Sequence, residues 1–139
     1  MAVDADIGQS LASQLTSLNI SGIGTVTFTF DPYHESDNLP SNTKVWITVN
    51  EMLRVLTSRG AWYKQCSILL YMIVAQSPTD TSGLEAWLDT FDTILNNVES
   101  IQANGKLPHE IMQEDRFDID RLNNDKRLIC KAVISYKLI

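Results

Sequence analysis

The sequence predicts an α+β domain with a mainly antiparallel sheet of about four to five strands and two main helices packed on one face. Alternating apolar residues indicate the strands, and two apolar stripes at helical spacing indicate the helices. The strands gather in runs around the helices, which favours antiparallel pairing. With 139 residues, 44% of them hydrophobic, we expect residues 1–139 to form a single domain.

Two segments have the periodicity of a helix. Residues 7–20 carry one apolar stripe, and Ser21-Gly22 provides a stop signal. The second helix is predicted from Ser82, as N-cap of a capping box with Glu85, to about Gln102. The stripe of this second helix consists of Leu84, Trp87, Leu88, Phe91, Ile94, Leu95, Val98 and Ile101.

Four segments alternate or run apolar as strands do: residues 25–30, 44–50, 62–76 and 126–139. Both faces of the 62–76 strand are apolar toward its end, so we expect it to be central or covered by another subunit. Residues 51–56 fit either a helical turn or a continued strand. Residues 108–119 offer Ile111, Phe117 and Ile119 as possible strand anchors, and residues 123–125 are predicted to form a turn.

The charge and the cysteines restrict the possible functions. A net charge of −6 argues against non-specific binding to DNA or to an anionic membrane, but suits a surface past which DNA slides. Cys66 and Cys130 fall on apolar strand faces, which indicates buried thiols in a reducing compartment. The first residues show no basic leader and no long apolar run, so we expect synthesis in the cytosol.

No group of residues predicts catalysis or metal binding. His34 lies near Glu35 and Asp37, and His109 lies beside Glu110, but neither has a partner at the spacing of a metal site. The acidic run 115–120 lacks the glycine and the terminal glutamate of a calcium loop. We therefore expect a protein that is not an enzyme and has no catalytic residue, no metal and no cofactor.

Segments of the chain together resemble the tail terminator (tail-completion, neck) proteins of long-tailed bacteriophages. That family opens with a short helix and strands, then carries a Ser-Arg-Gly-like segment, a long strand, a helix of about six turns and a last strand ending in a Thr/Ser-Tyr pair. The matching residues here are Ser58-Arg59-Gly60, Tyr63 to Val74, Leu84 to Ile101, and Ile134-Ser135-Tyr136. Residues 50–53 depart from the family's usual arginine- or proline-rich connection.

The resemblance implies a structural virion protein at the head-tail junction. Such proteins form a hexameric ring on the last ring of the tail tube, stop its polymerisation and join it to the head connector. DNA passes through the ring without sequence-specific binding, and no membrane is involved.

Four residues are the candidate interface. Alternation directs Trp46 outward, and Trp is enriched at protein interfaces. We expect Arg54, Arg59 and Trp62 to lie in a loop that contacts a neighbouring ring. Two alternatives stay open: another head-tail connector or head-completion protein, and an unrelated cytosolic α+β adaptor or ligand-binding domain.

Overall fold

The computed structural model describes residues 2–30 and 43–138 of the chain. Within these ranges the chain forms three helices and five strands. In chain order they are α1 (Val3–Ser17), β1 (Val26–Phe28), β2 (Lys44–Leu56), β3 (Trp62–Ala75), α2 (Thr81–Val98), β4 (Glu110–Met112), α3 (Ile119–Asp125) and β5 (Arg127–Lys137).

The five described strands form one sheet in the order β1-β2-β3-β5-β4. Three of the neighbouring pairs are antiparallel, and only β1 and β2 run parallel. The predicted α+β class with a mainly antiparallel sheet is therefore confirmed. β3 lies between β2 and β5, which confirms its predicted central position.

The core lies between one face of the sheet and the two long helices. We call this the inner face. Because α1 and α2 both bury side chains in the same cluster, they cover the same face of the sheet, as predicted. The cluster includes Ile7, Leu11 and Leu15 of α1, Phe91, Ile94 and Val98 of α2, Ile68, Leu70 and Met72 of β3, and Cys130, Ile134 and Tyr136 of β5.

The opposite face of the sheet, here the outer face, is also partly apolar. One row across the strands consists of Trp46, Tyr71 and Lys131, and the next contains Leu69 and Val133. Trp46, Leu69, Tyr71 and Val133 are half-buried. The prediction that both faces of β3 are apolar is therefore confirmed.

A bulge in β2 decides how residues 51–56 fold. Val49 pairs with Ile68, and Glu51 pairs with the adjacent Ser67, so one extra residue is inserted between the two pairs. The strand then continues to Leu56, which resolves the open choice between helical turn and strand in favour of strand. Because a bulge shifts the alternation by one residue, the periodicity read from Val45 does not carry through this segment.

The start of α2 differs from the prediction. Asp80, not Ser82, is the N-cap: its carboxylate accepts a hydrogen bond from the Gly83 N–H at 3.1 Å. Ser82 instead donates its hydroxyl to the same carboxylate at 3.3 Å. Aspartate is as good an N-cap as serine, and here its position two residues earlier extends the helix by part of a turn.

α3 includes residues 123–125, which were predicted as a turn, and Ile119, which was offered as a strand anchor; of the three possible anchors only Ile111 lies in a strand, β4. The helix begins after Asp118, whose side chain accepts from the Arg121 N–H at 3.1 Å, and ends at Lys126, which has a left-handed φ of 55°. Leu122 is its buried residue and joins the core. A helix of seven residues with one apolar anchor has too short a stripe to be recognised by periodicity.

Both cysteines are buried free thiols, as predicted. In the sheet Cys66 lies opposite Tyr136, and Cys130 lies opposite Met72. The two cysteines are therefore six positions apart along neighbouring strands, about 20 Å at the rise of a strand. A disulfide needs Cα atoms within about 7 Å, so the two thiols do not pair within the chain.

Candidate functional site: a projecting hairpin

β2 and β3 continue past the end of β5 as a two-stranded hairpin. β5 pairs with β3 as far as Gln65 and Lys137, and one further hydrogen bond joins the Leu138 N–H to the Lys64 carbonyl at 3.0 Å. The β2–β3 pairing goes on to Leu56 and Trp62. We call residues 53–64 the arm. Six residues from its base to its tip span about 20 Å.

The Ser58-Arg59-Gly60 segment forms the tip of the arm. The Thr57 N–H donates to the Ala61 carbonyl at 2.7 Å, and the Gly60 N–H donates to the Thr57 carbonyl at 3.1 Å. Gly60 has a φ of 77°, a left-handed conformation that glycine adopts at no steric cost. A three-residue loop that ends in such a glycine is a common hairpin connection. Arg59 is thus presented at the far end of the arm.

The arm exposes large apolar side chains. Leu56 and Trp62 lie opposite each other and share one side of the hairpin, with exposed fractions of 55% and 65%. Leu53 at the base is 42% exposed. Tryptophan and arginine are the residues most enriched at the energetic centres of protein interfaces. A surface that combines them with exposed leucines is suited to contact with another protein.

The arm is also cationic. Arg54 and Lys64 are cross-strand partners on the same side as Trp62, and Arg59 is at the tip. Residues 53–64 hold these three cations and no acidic residue, whereas the whole chain has a net charge of −6. Removing +3 from −6 leaves −9 on the remaining residues. None of the three cations forms a salt bridge with a residue in the described part of the chain.

The structure brings three of the four predicted interface residues together. Arg54, Arg59 and Trp62 are all on the arm, but the expected loop was wrong for two of them: because both strands continue into the arm, Arg54 lies in β2 and Trp62 in β3. Trp46 pairs with Tyr71 on the outer face, ten positions along β2 from the arm's end, or roughly 30 Å away. Trp46 therefore belongs to a different surface from the other three. Their role as an interface stays a prediction.

Sequence reasoning missed three contributors to the arm: Leu53, Leu56 and Lys64. The signal for the two leucines was present in residues 51–56, which are apolar enough for a strand. It could not be read because the bulge at Val49 and Glu51 interrupts the alternation. Lys64 falls within the predicted strand 62–76, but its partner Arg54 could not be identified without the register.

A second surface feature lies toward the other end of β5. It is a groove of about 570 Å³ between the outer face and residues 114–120, and we call it the acidic groove. Its floor is apolar, and its rim holds four acidic residues and two basic ones. The floor consists of Tyr71, Phe117 and Ile129, with the exposed Ile119 at its side, and the rim of Glu114, Asp115, Asp118, Asp120, Arg116 and Lys131.

Two rim residues of the acidic groove have partners within the chain. Arg116 donates two hydrogen bonds to the Asp92 carboxylate of α2, at 2.7 and 3.2 Å. This pairing holds the pKa of Arg116 above its ordinary value. Asp118 caps α3. Glu114, Asp115 and Asp120 are exposed and form no salt bridge with any residue of the described ranges.

In the described ranges, no three His, Cys, Asp or Glu side chains come close enough to hold a metal ion. His109 is exposed at the start of β4, and His34 lies outside the described residues. No described helix is long and apolar enough to cross a membrane.

Proteins similar to this chain are found among solved structures. No protein-family model matches the chain, and no curated protein matches it. Among solved structures, one similar chain is the sheath/tube terminator of an extracellular contractile injection system (PVC) in its extended state, with 14% identity and a TM-score of 0.49. The match covers 100% of this chain and 57% of that one, so this chain spans little more than half its length.

Proposed function

We propose that this chain is a structural protein of a phage-like tail, the terminator that caps the tail tube. In this role copies form a ring, most simply a hexamer, on the last ring of the tube and stop its polymerisation. The ring joins the tube to the head connector and leaves a channel for DNA. The protein acts without catalysis or cofactor, at the head-tail junction of the virion, after synthesis in the host cytoplasm.

The observation that carries the proposal is the arm. A two-stranded hairpin has marginal stability in water, and this one places Leu56 and Trp62 in solvent. Contact with a second protein would bury that apolar area and order the arm. Exposed apolar side chains grouped on one element are typical of a surface that contacts another protein, which supports an assembling protein.

The layout of the chain supports the choice of a terminator among assembling proteins. The segments on which the family resemblance rests each fall on one structural element. Ser58-Arg59-Gly60 forms the arm's tip, Tyr63 to Val74 lies in β3, and Ile134-Ser135-Tyr136 lies in β5. Leu84 to Ile101 begins inside α2 and ends just past it. The acidic balance of the chain supports passage of DNA without adhesion.

The test uses the purified protein with tail tubes and, separately, with DNA-filled heads of the phage whose genome carries it. A terminator is expected to appear in electron micrographs as a ring at one end of the tubes, and to shorten tubes when present during their polymerisation. Binding to heads alone would instead identify a head-completion protein. Absence from both particles would favour an adaptor domain and overturn the proposal.

A further inference from the structure

We infer that the arm of one copy docks into the acidic groove of the next copy, so that copies of this chain meet head to tail. The inference takes from the proposed function only that copies associate. It also differs from the expectation that the arm contacts a neighbouring ring, because it names a second copy of the chain as the partner.

Charge is the first argument. Arg54, Arg59 and Lys64 on the arm form no salt bridge within the described chain, and neither do Glu114, Asp115 and Asp120 on the groove. Three cations on one surface thus match three carboxylates on another surface of the same molecule, where Lys131 on the rim offsets one negative charge and leaves the groove acidic. Complementary potentials of this kind steer association and fix the register of the two partners.

Shape and polarity are the second argument. The groove has an apolar floor that includes Phe117 and Ile129, with Ile119 60% exposed at its side. At about 570 Å³ its volume is that of a pocket which encloses a compact apolar group. Trp62 is the arm's largest exposed apolar side chain, and the cations flank it as the acids flank the floor. One indole in the floor with the cations at the rim would satisfy both surfaces.

Geometry is the third argument. The arm leaves the sheet at the Gln65–Lys137 pair, whereas the groove lies at the level of Tyr71 and Lys131, six positions along the same strands. The two are separated by about 20 Å of sheet, and the arm points away from the groove. An arm therefore cannot reach the groove of its own chain. A contact between two different surfaces of identical copies is heterologous, and it closes into a ring when the rotation allows.

The experiment exchanges the charges. One variant reverses the charge of the arm (Arg54→Glu, Arg59→Glu, Lys64→Glu). The other reverses the charge of the groove with three acid-to-lysine substitutions at positions 114, 115 and 120. Each variant alone is expected to self-associate more weakly than the parent protein by about tenfold or more. Native mass spectrometry and sedimentation over a wide concentration range measure this. Mixed one to one, the two variants are expected to associate again, because each arm then meets a groove of opposite charge.

The matched control changes three exposed acids elsewhere, Glu85→Lys, Glu99→Lys and Glu110→Lys. This control variant shifts the net charge as much as the groove variant does. It should self-associate about as strongly as the parent protein. Loss of association in this control equal to that of the groove variant would mean that net charge, not the groove, decides. Failure of the mixture to recover would overturn the inference.

Cross-linking tests the contact directly. With Ala61→Cys at the arm and Ile119→Cys in the groove, a short bis-maleimide is expected to join copies into a covalent ladder. Pairing Ala61→Cys with Ser13→Cys on α1 is the control and should give little product. The native Cys66 and Cys130 are buried and do not compete for the reagent. Equal yields from both pairs, or none at any concentration, would overturn the inference.

The outcomes separate this inference from the proposed function. Head-to-tail association through the arm without binding to tubes keeps the inference and overturns the terminator role. An arm-reversed variant that still self-associates but no longer binds tube ends shows that the arm contacts the tube's ring. That result keeps the terminator role and overturns the inference.

Discussion

The hydroxyl of Tyr136 is buried without a partner, and removing it should stabilise the protein. The side chain is 0% exposed, and its oxygen makes no hydrogen bond within the described chain. An unsatisfied buried hydroxyl costs about 1–3 kcal/mol. Tyr136→Phe removes this cost and leaves a void of roughly 10 Å³, worth only about 0.2 kcal/mol at the usual cavity penalty. We expect the free energy of unfolding to rise by about 1–2 kcal/mol, which raises Tm by about 3–8 °C for a chain of this size.

The same substitution should change the response to alkali. Burial raises the pKa of Tyr136 well above its ordinary value of 10.0. Above pH 10 the unfolded chain therefore loses the phenolic proton while the folded chain keeps it, so stability falls as pH rises. Phenylalanine has no such proton. The difference in the free energy of unfolding between Tyr136→Phe and the parent protein should therefore increase by about 1.4 kcal/mol for each pH unit above 10.

Urea unfolding of both proteins at pH 7 and at pH 10.5 measures both effects. Tyr63→Phe is the control, because it removes a phenol that is half-buried on the arm and should change stability at pH 7 by less than about 0.5 kcal/mol. If Tyr136→Phe lowered stability at pH 7 by 1 kcal/mol or more, the hydroxyl would have a partner such as a bound water, and the reasoning would be wrong.

Three other predictions test the packing and the helix start. Burial raises the pKa of Cys66 to about 11 and of Cys130 to about 12. A thiol-disulfide reagent at pH 8 should therefore react with either thiol only as fast as the chain unfolds. Rapid reaction of the folded protein would contradict this. Asp80→Ala should lower Tm by a few degrees, whereas Asp80→Asn should lower it less, because the asparagine amide oxygen can still cap α2. Equal Tm values for the two variants would exclude a capping role. Gly8→Ala should lower the free energy of unfolding by about 1–2 kcal/mol in urea, because the new Cβ would lie 2.5 Å from the Phe28 ring. The cost of this overpacking exceeds the gain in helix propensity. A stabilised variant would show that the ring moves aside freely.

Much of the fold could be predicted because its elements are long and regular. β3, α2 and β5 each hold an unbroken pattern, and apolar residues of these patterns, such as Leu70, Phe91 and Ile134, are in the core. The parallel pairing of β1 with β2 could not be predicted, since it depends on contacts between strands rather than on the pattern within either. β1 is also shorter than the predicted residues 25–30, and Phe30 is 63% exposed beyond it.

The candidate site was predicted in part for the same reason. Arg59 and Trp62 were predicted as interface residues from their residue types, because tryptophan and arginine are enriched at protein interfaces, and from the family resemblance. The register that makes Arg54 the neighbour of Lys64 is a tertiary property. The sequence showed the acidic groove only as an acidic run without the pattern of a calcium loop, because Tyr71 of β3 and Ile129 of β5, which complete its apolar lining, are distant from that run in sequence.

The bulge in β2 links the core to the arm. Without it, the alternation set by Val45 and Ile47 would direct Glu51 toward the inner face, where burying a carboxylate without a partner is costly. With it, Glu51 lies outward and Met52 packs against the core opposite Cys66. The same shift places Arg54 and Leu56 of β2 on the side of the arm where β3 carries Lys64 and Trp62. A local solution to the burial of one charge therefore also brings together residues of the surface that we propose for assembly.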